Sequence, residues 1–211
     1  MPPELQLALA YTPVKLRPKL AALFAFDQRL ARIVSKTSEP ALGQIRLAWW
    51  REVLEKPIAE RPQGDLVLDL LGTSWANAET ELIGMVDGWE ELVAQEQIAP
   101  DDLKHYASGR SQVFTILYPT DDLDLCARIR MAATRYALAD AAVHLSEPDE
   151  RELFLACGLS DSCPNLRLPR ELRGLAVLEA LAMRSLKRGG RPLMDGRGAS
   201  LAALWAGLIG R

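Results

Sequence analysis

Apolar residues recur along most of the chain at intervals of three and four, and no stretch of useful length alternates apolar with polar positions. The first spacing lines up one face of a helix; the second would mark a half-buried strand. The pattern predicts helices near residues 3–11, 18–35, 40–55, 65–72, 75–96, 100–117, 121–146, 148–157, 169–188 and 198–209. Pro18, Pro40, Pro100 and Pro169 each stand just before an apolar run, where proline fits a first helical turn. Loops are expected at 35–39, 56–64, 158–168 and 188–198, the last rich in glycine and arginine. Segment 121–146 carries Leu123, Ile129, Met131, Tyr136, Leu138, Val143 and Leu145 on several sides, so it is expected at the centre of a bundle. No linker or repeat divides the chain, and residues 1–211 are expected to form one all-α domain.

Two charges sit on the wrong face. Leu20, Leu23, Phe24, Ala31 and Val34 form the stripe of helix 18–35, and Asp27 lies in its middle. Leu42, Ile45, Trp49 and Val53 form the expected stripe of helix 40–55, and Arg46 falls inside it. An isolated buried charge is costly and needs a partner. Asp27 and Arg46 are therefore expected to meet, either lining a polar cavity or as a structural ion pair. On this reading Trp49 is a packing anchor, Arg51 faces solvent, and Trp50, at the stripe's edge, is the residue open to a ligand. Nothing in the sequence assigns a partner to Arg110 or Arg135.

Composition narrows the function. The formal charge is −3 with acids and bases interleaved, which lacks the basic footprint of a nucleic-acid binder. Three cysteines, Cys126, Cys157 and Cys163, read as reduced thiols of a cytoplasmic protein. Neither histidine stands at zinc-ligand spacing from a cysteine. The longest apolar stretch, 199–210, is too short to span a bilayer and lacks the basic polar face of an interfacial helix. It is expected to be a terminal helix docked on the core. Contact with the inner membrane is expected to be peripheral at most. Asp121, Asp122 and Asp124 imitate a metal motif, but their place at a helix start explains them as caps, as it does Asp65.

A family resemblance appears at the first two long helices. Leu23-Phe24-Ala25-Phe26, Leu30-Ala31-Arg32, Glu39-Pro40 and Gly43-Gln44-Ile45-Arg46-Leu47-Ala48-Trp49-Trp50-Arg51-Glu52 resemble the N-terminal third of squalene/phytoene synthases. Tyr106-Ala107-Ser108-Gly109 and Leu168-Pro169-Arg170-Glu171-Leu172 resemble later segments. The resemblance implies an all-α isoprenoid-synthase bundle, somewhat truncated toward the C-terminus. It also implies head-to-head transfer of prenyl diphosphates, with magnesium held by carboxylates to neutralise the leaving diphosphate.

The family's first three metal-binding aspartates correspond here to Ala31, Arg32 and Ser35. The second aspartate pattern is not recoverable on segment 121–146, where Asp140 is a lone acid. A degenerate branch, which includes the mitochondrial complex I assembly factor, resembles Ala25-Phe26-Asp27-Gln28-Arg29-Leu30-Ala31 more closely, though its glutamate is Arg29 here. The expected role is accordingly a non-catalytic one, binding a prenyl or other apolar chain or a protein partner. Asp27, Arg46, Trp50 and Asp140 are the candidate cavity or ligand residues, and no cofactor is expected. The alternative is an active prenyl transferase, for which Mg²⁺ would be required. A third reading is a peripheral lipid-binding protein that uses the apolar C-terminus.

Overall fold

Prolines open five helices of the computed structural model, at the first or second helical position of α1 (Pro3–Ala10), α2 (Arg17–Lys36), α3 (Pro40–Glu55), α6 (Pro100–Leu117) and α8 (Pro148–Ser160). There the missing N–H costs nothing and the fixed φ is already helical. Aspartates open two more. Asp65 Oδ1 accepts the amides of Val67 and Leu68 at the start of α4 (Leu66–Ser74), and Asp122 Oδ1 those of Asp124 and Leu125 at the start of α7 (Leu123–Ala142). Both match the capping role expected of them. The remaining helices are α5 (Glu79–Ala94), α9 (Arg173–Leu186) and α10 (Arg197–Ile209). The structure describes residues 1–37, 39–94, 98–160 and 166–210, and among them there is no strand. Cys126 and Cys157 are half-buried, whereas Cys163 lies outside the described residues.

The chain divides into two compact units, Lys15–Val113 and Met1–Val14 with Phe114–Arg211; the division falls within α6. In the first unit α2 packs on α3, α4 and α5, and α3 packs on α5. In the second, α9 packs on α1, α7, α8 and α10. Segment 121–146 was expected to be the central helix. Its α7 is indeed buried on most sides, but in this unit α9 has the larger set of partners. The reason is composition. Gly174, Ala176, Ala182 and Ser185 are small enough to let neighbours close on several faces.

Candidate functional site

Asp27 is buried on the face of α2 that also buries Leu20, Leu23, Phe24 and Leu30, as the stripe predicts. Its partners come from α5 and α6. Trp89 Nε1 donates to Asp27 Oδ1 at 2.8 Å, and Arg110 Nη2 donates to Oδ2. Arg110 Nη1 donates to the Tyr106 hydroxyl at 2.5 Å. The guanidinium carbon stands 4.8 Å from the Trp89 ring centre and 5.4 Å from that of Tyr106. Those two rings meet edge to face at 5.3 Å. Arg110 is only 2% exposed, so a carboxylate, a guanidinium and two aromatic rings meet in a buried cluster.

Gly109 makes this cluster possible. A Cβ there would stand 2.3 Å from the Gly84 carbonyl oxygen and 3.1 Å from Gly88 Cα, so α5 and α6 cross backbone to backbone. That crossing lets Trp89 and Arg110 reach the same carboxylate.

The expected pairing of Asp27 with Arg46 is corrected. Arg46 is exposed, and its Nη1 donates to Thr37 Oγ1 at 3.3 Å. Of the stripe expected on α3, Val53 is buried but Leu42, Ile45 and Trp49 are exposed; Gly43, Leu47, Trp50 and Leu54 are buried with Val53 instead. Apolar residues lie on two adjoining faces of this helix, and periodicity alone permits either. Packing selects the face through Trp50, which is 2% exposed and sits 5.1 Å from the Phe26 ring; Trp49 is 40% exposed and meets only the edge of Trp50. Arg51 does not face solvent alone. It bridges Asp87 and Glu90 of α5, each at 2.5 Å.

Arg29, which replaces the branch's glutamate, donates to Asp65 Oδ2 at 2.9 Å and lies 5.8 Å from the Trp50 ring centre. Burial would raise the Asp65 carboxyl, but the Arg29 guanidinium and the backbone amides of Leu68 and Val67 outweigh it and hold that carboxyl below its ordinary range.

The second unit holds another buried acid. Glu179 on α9 accepts from Arg128 Nη1 at 2.9 Å, from Arg128 Nη2, and from Arg135 Nη1 at 2.8 Å. Arg128 Nε donates to the Leu166 carbonyl at 3.0 Å. Asp140 is half-buried on α7. Burial raises the Glu4 carboxyl, its own backbone hydrogen bond lowers it, Asp140 pushes it up again and His144 opposes that; the result lies above the ordinary range.

Sequence reasoning missed Arg110, Trp89, Tyr106, Arg128, Arg135 and Glu179. A signal was there for several, because Arg110, Arg128 and Glu179 interrupt apolar faces as Asp27 does. Of the positions where the resemblance implies metal-binding acids, Arg32 donates through Nε to the Gln28 carbonyl at 3.2 Å on its own helix. Among the described residues no three His, Cys, Asp or Glu side chains converge as a metal ion would need.

The family model for squalene/phytoene synthase matches residues 3–125, more than half of the 211-residue chain. The chain belongs to the squalene/phytoene synthase family. Among the described residues there are ten helices and no strand, in accord with the all-α isoprenoid-synthase-like fold of that family. The matched region contains the whole Asp27 cluster and ends at the first turn of α7, before the Glu179 cluster. No curated protein and no solved structure matches the chain. Among the described residues no helix is long and apolar enough to cross a membrane.

Proposed function

We propose that this family member does not carry out magnesium-dependent prenyl transfer and instead acts as a cytoplasmic binding factor for a prenyl or other apolar ligand, or for a protein partner. The observation that carries this is how its buried acids are used. Asp27 and Glu179 are both neutralised by arginine, and the aligned metal positions are Ala31, Arg32 and Ser35. A departing diphosphate needs a divalent ion gripped by several carboxylate oxygens. The donor set present does not fit that ion, since the buried carboxylates already accept hydrogen bonds from guanidinium groups. Arg32 brings a positive charge to one of those aligned positions.

The test combines turnover with ligand identification. Purified protein is incubated with magnesium and farnesyl or geranylgeranyl diphosphate, and released diphosphate is measured. The expected result is no release above buffer, with an apolar molecule or a partner protein found by mass spectrometry of the purified material. Sustained diphosphate release with a condensed product would overturn the proposal. That outcome belongs to the second reading, an active head-to-head transferase, which the match over residues 3–125 favours. Under it, magnesium would be held by acids outside the aligned positions.

A further inference from the structure

Helix α10 docks by the face opposite its large apolar residues. Ala199, Ala203, Ala206 and Gly207 are buried, and a Cβ on Gly207 would stand 2.3 Å from the Tyr11 ring. The other face carries Leu201, Leu204, Trp205 and Leu208, which are 60%, 46%, 62% and 66% exposed. These four recur at three- and four-residue intervals and form one stripe. A helix packed only to fill a core would turn its leucines and tryptophan inward. A contiguous apolar stripe facing water marks an interaction surface.

Charge selects the occupant. From residue 184 to the end, the sequence carries five arginines and one lysine against a single acid, Asp195. Lys187, Arg188, Arg191 and Arg197 are exposed. The Asp195 carboxylate stands 3.8 Å from Arg188 and 3.6 Å from Arg191, and can neutralise only one of them. Arg197 stands on α10 itself, one turn before Leu201. The helix was expected to lack a basic polar face, and it does. The basic residues come instead from the loop that leads into it.

We propose that the Leu201, Leu204, Trp205 and Leu208 face of α10, with the basic loop 187–197, is a docking surface for an anionic phospholipid bilayer. The helix lies in the interface and does not cross it, since thirteen residues are too few. The leucines enter the acyl boundary, the indole sits at headgroup depth where tryptophan is favoured, and the guanidiniums engage the headgroup anions. This inference stands whether or not the chain turns over a prenyl diphosphate.

The test is cosedimentation of the full chain with vesicles of phosphatidylcholine alone or mixed with phosphatidylglycerol. Binding is expected to be about tenfold or more tighter on the mixed vesicles, given the attraction of several surface cations, and to weaken with added salt. L204S/W205S/L208S should lose binding to both vesicle types. R188E/R191E/R197E should lose the preference for phosphatidylglycerol. All six side chains are exposed, and circular dichroism checks that each variant keeps its helix content. Equal binding to both vesicles, no binding, or undiminished binding by the serine variant overturns the proposal. So does a wild-type dimer in light scattering that the serine variant converts to monomer, because a second copy would then occupy the face.

Discussion

Asp27 and Glu179 are both acids on an otherwise apolar helix face, one in each unit, and they are neutralised by different means. Asp27 meets Arg110 in an aromatic setting: Trp89 donates to the carboxylate, Tyr106 accepts from Arg110, and both rings flank the guanidinium. Glu179 has two arginines, with a backbone carbonyl taking one of the spare donors. The first places one guanidinium on its carboxylate and adds an indole donor. The second places two guanidiniums on one carboxylate. In a family whose chemistry relies on carboxylates to hold an ion, this chain has committed its buried carboxylates to guanidinium partners.

Breaking the first cluster should have the largest effect. Asp27→Ala or Arg110→Ala leaves an uncompensated buried charge and should cost about 3–5 kcal/mol, read from urea unfolding. Asp27→Leu combined with Arg110→Met removes both charges and should recover most of that loss, giving a large coupling in a double-mutant cycle. Additive losses would show that the two side chains do not act as a pair. In the second cluster the arginines should not be equivalent. Arg128→Met removes both hydrogen bonds of a two-pronged contact and should cost about 3 kcal/mol, whereas Arg135→Met should cost under about 1 kcal/mol, because Arg128 still holds both Glu179 oxygens. Equal costs would mean that the two-pronged contact gives Arg128 no advantage over Arg135.

How much of this was legible depends on whether the signal is local. The helices were, because their apolar spacing is local, and all ten appear near their expected positions. Several ends shifted where caps decide: α5 begins at Glu79, after a turn in which Asn77 takes φ 67°, and α9 begins at Arg173, after a short 3₁₀ turn. Asp27 was legible because it interrupts a stripe. Its partner was not, because pairing is set by how α2, α5 and α6 meet. The same interruption exists at Arg110, which follows Tyr106 and Ala107 on the buried face of α6, so the site itself could have been found from α6. At α3 the sequence offered two apolar faces, and only contact with Phe26 distinguishes Trp50 from Trp49.

The Tyr106-Ala107-Ser108-Gly109 segment, which resembles a later segment of the family, has a physical reason at each end. Tyr106 accepts from Arg110, and Gly109 admits the Gly84 carbonyl. Gly109→Ala should therefore cost about 1–3 kcal/mol by overpacking the α5–α6 crossing. It should also weaken the Asp27–Arg110 coupling measured in the same background, since the crossing sets where Arg110 stands. A neutral Gly109→Ala would mean that α5 can withdraw without cost, and that the cluster does not depend on a close crossing.

The smallest effects separate the two units by pH. Asp65 in the first unit has a lowered folded-state carboxyl, so its contribution is present above the unfolded value of about 3.9 and is lost as pH falls through the folded value. Asp65→Asn keeps a capping oxygen but loses the Arg29 pair, and should be less stable than wild type at neutral pH by under about 1 kcal/mol, the difference closing in acid. Glu4 in the second unit is raised, so between the unfolded value of about 4.3 and its folded value the folded state binds more protons, and stability falls as pH rises through that window. Glu4→Gln should therefore be more stable than wild type at neutral pH, with the advantage vanishing below the unfolded value. Thermal melts of both variants across pH 3 to 7 check the signs. Shifts in the same direction would mean that burial does not set the Glu4 carboxyl, and that the contrast between one lowered and one raised carboxyl is not real.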